Sequence, residues 1–152
     1  MARKSNNAAL NNLCDRQNSV FLDNKLSKTI TYVTGTTGAT GATTLATVTG
    51  VVAVSVFGVC ATSLTAASTI EVGTALSTAG LIAQTTASDI IASEIWHDAS
   101  PDASVELTSV VIQSIVTQNV IQTIGGTAVT GGVMTYYILW SPISSDGNVV
   151  IA

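Results

Sequence analysis

No lysine or arginine occurs after Lys28, although 124 residues follow it. Most of the chain therefore cannot form Lys/Arg salt bridges within itself. Its stability has to come from packing and backbone pairing. The same gap removes the cations that neutralise phosphates, which argues against nucleic-acid binding by this part. Charge of either sign is scarce, at 9% of residues against about 25% in ordinary soluble domains. There is one histidine, and a zinc site needs three or four ligands. There is no Gly-x-Ser-x-Gly, no P-loop and no dinucleotide fingerprint. Cysteines number two, Cys14 near the N-terminus and Cys60 within an apolar run, and two separate buried thiols are expected rather than a disulfide. Residues 1–12 lack the apolar core of a secretory signal. The most apolar stretch, 51–61, is too short to cross a bilayer, which takes about 20 residues. Neither a secretory leader nor a membrane segment is expected.

The chain does have apolar residues, at 47%, with a mean hydropathy of +0.51. Its polarity comes from Thr, Ser, Asn and Gln. Such a surface leaves large uncharged patches, and patches of that kind become interfaces. A homo-oligomer or a subunit of a larger assembly is expected. The basic residues Arg3, Lys4, Arg16, Lys25 and Lys28 all lie in the first 28 positions, which hold two carboxylates and a net charge of +3. The remaining 124 residues carry seven carboxylates and no Lys or Arg. The expected organisation is a basic N-terminal arm over 1–28 and a β-domain over 29–152. The five cations are the candidate interaction residues, through attraction to acidic surface on a neighbour.

Residues 29–34 are β-branched and predict a strand. Residues 35–42, with three glycines, predict a loop. Strands are expected over 43–49 and 51–62. In the latter, Val52, Val54, Val56, Gly58 and Cys60 share one face, and Val51, Ala53, Ser55, Phe57 and Val59 share the other. Both faces are apolar, so this strand should be central and covered on both sides. Residues 63–68 predict a turn and 69–73 a strand. Residues 79–86 predict a strand or a helical turn, and 102–112 and 114–124 predict successive strands. A helix over 110–122 is the alternative, disfavoured by β-branched density. Residues 133–140 predict a strong strand ended by Pro142, and 149–152 a terminal strand or tail after the turn at 146–148. Eight or nine short strands between polar turns predict an all-β, antiparallel β-sandwich, jelly-roll-like, with an extended N-terminal arm. Element order alone does not separate a jelly roll from other sandwiches.

His97 lies in Glu94-Ile95-Trp96-His97-Asp98, and the expectation is a loop histidine bonded by Asp98 beside a packed Trp96. Calcium ligation by Asp98 and Asp102 lacks the dense spacing of a calcium loop. A carboxylate pair drawn from Glu71, Glu94, Asp98 and Glu106 is weak evidence for glycoside hydrolysis, because any acidic chain permits the choice. Tyr136 and Trp140 share a strand face that Tyr137 opposes, which suits a core or an interface. No catalytic residue, metal site or cofactor is expected.

Two strings carry a resemblance. They are Glu94-Ile95-Trp96-His97-Asp98-Ala99-Ser100-Pro101-Asp102 and Leu139-Trp140-Ser141-Pro142-Ile143-Ser144-Ser145-Asp146-Gly147-Asn148-Val149-Val150. With Thr47-Val48-Thr49-Gly50 and Thr69-Ile70-Glu71-Val72-Gly73, they resemble a group of small virion proteins of tailed bacteriophages, over about residues 43–152. The resemblance implies a virion component assembled in the host cytoplasm. Its leading form is a capsid decoration (cement) protein, a trimer bound to the major capsid protein or a neighbouring virion protein. The alternative is a head-fibre or tail-associated module that binds a carbohydrate or receptor.

Overall fold

The computed structural model describes residues 24–101, 103–107 and 110–152. Ten strands run through them: β1 (Asn24–Thr31), β2 (Gly41–Thr49), β3 (Val52–Thr65), β4 (Thr69–Thr74), β5 (Ser77–Thr86), β6 (Ile95–Trp96), β7 (Ser114–Val116), β8 (Val120–Gly125), β9 (Gly131–Pro142) and β10 (Asn148–Ile151). They form two five-stranded sheets in which every pairing is antiparallel. The first sheet runs β1-β9-β3-β6, with β7 also on β3, and the second runs β10-β2-β8-β4-β5. Strands β1 to β4 alternate between the sheets, β4 and β5 form a hairpin, and β8 and β9 return between earlier neighbours. That order is a jelly-roll wrapping, with β10 added at one edge.

β3 has the two-faced burial its sequence requires. Val52, Val54, Val56 and Cys60 point between the sheets and are buried, while Ala53 and Ser55 are buried on the opposite face. The interior face of β9 adds Met134, Tyr136 and Ile138, and β8 and β4 supply Val120, Ile124, Ile70 and Val72. Alternation at period two places these side chains in a single layer.

Several boundaries differ from the sequence reading, and three of them bear on the site. β1 starts at Asn24, so Lys25 and Lys28 belong to the sheet and not to the arm. The pairs Leu26↔Ile138, Lys28↔Tyr136 and Ile30↔Met134 show the alternation reaching back past Lys28. Residues 102–112 form no strand among those described; Ala103 makes only an isolated bridge to Ile95. The β3 neighbour positions are already taken by β9 on one side and by β6 and β7 on the other. The expected strand over 114–124 is split into β7 and β8 by a turn at Thr117, Gln118 and Asn119, residue types that suit turns. The Asn119 side chain fixes this turn, its Oδ1 accepting from the Val48 amide at 3.0 Å. Arg3, Lys4, Arg16 and Cys14 lie outside the described residues.

Candidate interaction surface

The two open flanks of the sandwich are closed differently. On one flank β1 lies beside β10 and β2. Lys28 sits on the inward-facing side of edge strand β1, and its Nζ donates to the carbonyl oxygens of Thr44 and Ala152, each at 2.8 Å. A charged donor thus ties the first sheet to the second. An inward-pointing lysine is also a device that keeps an edge strand from pairing with foreign strands. Lys25, on the outward side of β1, is exposed. The structure therefore separates the two strand lysines, one a clamp and one an exposed surface cation.

On the opposite flank β5 faces β6 and β7. One half is closed by Trp96, which is fully buried and donates from Nε1 to Thr85 Oγ1 at 3.1 Å. Thr85 Oγ1 in turn donates to the Asp98 carbonyl at 3.2 Å. The other half is a shallow groove of about 210 Å³ between the start of β5 and β7. Its apolar lining comes from Leu76, Leu81, Ile115 and Val116. Across its mouth the Leu76 amide donates to Gln118 Oε1 at 3.3 Å. Leu76 at the β4–β5 hairpin tip is 86% exposed, Ile115 70% and the neighbouring Ile112 76%. Sequence reasoning missed this surface because it expected 114–124 to be one continuous strand, whereas the groove is lined by β7 and the turn that follows it.

His97 is more enclosed than a free loop residue. Its Nε2 lies 3.3 Å from Glu106 Oε1 and its Nδ1 3.8 Å from Asp98 Oδ2. The nearer partner is Glu106, not the Asp98 that the sequence suggested. Asp98 Oδ1 instead accepts from the Ser100 amide at 2.7 Å, and Glu94 Oε2 from the Ile91 amide at 2.8 Å. Glu71, in β4, accepts from Gln84 Nε2 at 2.9 Å. Each of these four carboxylates thus has a local partner. Among the described residues, no three His, Cys, Asp or Glu side chains gather in a way that could hold a metal ion. Asp102 lies outside the described residues.

Between the sheets sits a buried polar trio. Tyr32 and Tyr136 hydroxyls donate to Gln122 Oε1 at 2.5 and 2.6 Å, and the two hydroxyls are 3.0 Å apart. Burial pushes both phenols well above their ordinary pKa; the adjacent Tyr32 adds to the rise at Tyr136. Burial also raises the Cys60 thiol, with a further contribution from the charge of Glu94. All three groups are buried between the sheets, and burial favours their neutral forms. On the outer face of the first sheet, Phe57 and Tyr137 stack with ring centroids 5.2 Å apart and an interplanar angle of 18°. Tyr136 is buried with Trp140 half-buried on its side, and Tyr137 is exposed on the other, as their alternation requires. Comparison with protein-family models, curated proteins and solved structures finds no match.

Proposed function

We propose that this protein is a structural virion subunit that works by self-association, in the leading case a capsid decoration protein. The observation that carries the reading is the exposure of large apolar side chains on a weakly charged body. Among the described residues twelve large hydrophobics are exposed, including Leu76, Val105, Leu107, Ile112 and Ile115. A body with so few charges keeps such side chains in water at a cost that association relieves. The jelly-roll order supports the reading at the level of fold analogy, since viral capsid and lectin domains use it. The resemblance of the 94–102 and 139–150 strings to phage virion proteins points the same way. In this reading the basic residues Arg3, Lys4 and Arg16, together with Lys25, hold the subunit to an acidic partner such as the major capsid protein. The mechanism is burial of apolar surface across subunits, with no chemical step.

The test is whether the protein copurifies with intact phage particles, and at what copy number relative to the major capsid protein. A fixed stoichiometry of many copies supports decoration. Absence from washed particles sinks it. Truncation of residues 1–23 should abolish attachment while leaving the β-domain folded.

The second reading, a carbohydrate-binding module, draws on the Phe57–Tyr137 stack. Tyr137 is 36% exposed, and Ser27, its partner in β1, adds a hydroxyl at the rim. Against it, Trp96 is fully buried and Trp140 half-buried, so neither offers a full stacking face. A glycan array separates the two readings: binding lost in Tyr137→Ala favours the module, and an array without hits removes it.

A further inference from the structure

The edges of the two sheets differ in how they are protected. β1 carries two lysines, one of them turned inward. β10 has four residues, β6 two and β7 three. Lysines and short length both discourage pairing with another chain. β5 is the exception. It has ten residues, Ser-Thr-Ala-Gly-Leu-Ile-Ala-Gln-Thr-Thr, without a charge or a proline. Among the described residues no strand lies on its outer side. The only irregularity is in its pairing with β4, where the register shifts twice.

Beside this edge lies the groove already described, with Leu76 projecting at its rim. Its lining residues fall within 74–81 and 114–118. Both segments belong to longer stretches, 72–88 and 107–145, that hold no charged side chain. The rest of the body is anionic, and its seven carboxylates face two lysines, both on the opposite flank. A basic partner would be drawn to the carboxylates and away from the groove, which no charged side chain lines. A second copy of the same anionic body would be repelled everywhere except where neither surface bears charge. The groove half of this flank, lined by 74–81 and 114–118, meets that condition; Glu71, bonded to Gln84, and Asp98, bonded to Thr85, lie toward the other end of β5.

We infer that the β5 flank is the surface through which one copy of this chain meets a second copy. Leu76 and Ile115 become buried against the neighbouring copy, and the outer side of β5 gains backbone partners from it. The inference rests on the self-association reading above and names its contact surface.

Sedimentation equilibrium of the full chain tests it. Two independent variants act at exposed positions: Leu76→Asp at the hairpin tip, and Ala79→Lys with Ala83→Lys, which gives β5 the lysine pair that β1 carries. Each should raise the self-association dissociation constant at least tenfold, with circular dichroism confirming that the sheets persist. Val150→Asp on β10 should leave it unchanged. If the wild-type chain assembles and both β5 variants assemble equally well, the surface is wrong while self-association stands. The surface is equally wrong if Val150→Asp alone dissociates the assembly. If the wild-type chain stays monomeric at every concentration, the reading beneath it falls too.

Discussion

Removing both phenol hydroxyls from the core trio, in the double variant Tyr32→Phe/Tyr136→Phe, should destabilise the protein, and removing the third polar group should then reverse the loss. Gln122 is fully buried, and its Oε1 takes both phenol protons. Its Nε2 has no partner among the described residues. The double variant leaves Oε1 unpaired in the interior as well, a penalty of about 1–3 kcal/mol. Adding Gln122→Met, close in shape, removes the orphaned carbonyl and the orphaned amide together. The triple variant should regain about 2–6 kcal/mol over the double and match or exceed the wild type. Urea denaturation at pH 7 measures all three. A triple variant less stable than the double would refute the reasoning, because the trio would then be contributing net stability through something other than satisfied hydrogen bonds.

The pH dependence offers a second view of the same trio. Both phenols have folded pKa values above the unfolded value of 10.0. The folded state therefore keeps its two protons where the unfolded chain has released them. This contribution is complete below about pH 10 and declines as pH rises beyond it, by about 2.7 kcal/mol per unit for two groups. Cys60, also raised from its ordinary 9.0, adds a decline of the same sign that begins lower, about 1.4 kcal/mol per unit. The triple variant should lose the tyrosine part of this slope and keep the thiol part.

Three further substitutions probe how the sandwich is closed. Lys28→Met removes both Nζ hydrogen bonds to the second sheet and should cost about 1–2 kcal/mol in urea melts, below the full value for a charged donor because the site is partly exposed. Trp96→Phe deletes the indole donor to Thr85 and part of a fully buried ring, and should lower stability by about 2 kcal/mol, read as a shift of the thermal midpoint. Gly73→Ala would place a Cβ 1.9 Å from the Ser77 carbonyl oxygen across the β4–β5 hairpin, so the expected loss is about 3 kcal/mol or more, with Gly73→Ser no better.

Much of the fold was legible because period-two alternation is a direct consequence of strand geometry. The two apolar faces of 51–62 announced a central strand, and β3 is one. The sharp turns at 146–148 and the run 133–140 appear as β10's entry and β9. Illegible parts have specific causes. The 24–28 segment alternates correctly, but a lysine at an inward position reads as solvated until the facing carbonyls of Thr44 and Ala152 are seen. Residues 102–112 have strand-like composition, yet composition does not say whether an edge is free to receive them. The proximity of Glu106 to His97 spans nine positions of irregular chain and left no periodic trace. The groove is the hardest to foresee, since it joins the start of β5 to β7, two segments more than 30 residues apart that meet only because the sheets stack.

The position of β1 also decides where the basic N-terminal segment can be cut. Deleting residues 1–23 stops short of the first strand. Deleting 1–28 removes Asn24 to Lys28, which pair with Trp140 to Tyr136 of β9. It takes Leu26 from its packing against the core and breaks the Lys28 clamp. Leu26 is partly buried, so its burial contributes about 1–2 kcal/mol, below the value for a fully buried leucine, and the lost strand pairing and charged hydrogen bonds add to that. The sum is a large share of the roughly 5–15 kcal/mol that holds a domain of this size together. It also bares the edge of β9 from Tyr136 to Trp140, an uncharged run with three aromatic residues, the kind of edge that invites aggregation. The shorter truncation should keep the wild-type thermal midpoint within about 2 °C, while the longer one should melt at least 10 °C lower and precipitate on heating. Equal melting of the two would mean that β1 contributes little to the sandwich. Loss of particle attachment would then be informative only in the shorter truncation, where the clamp, the sheet and the β5 flank are intact and the missing element is the segment carrying Arg3, Lys4 and Arg16.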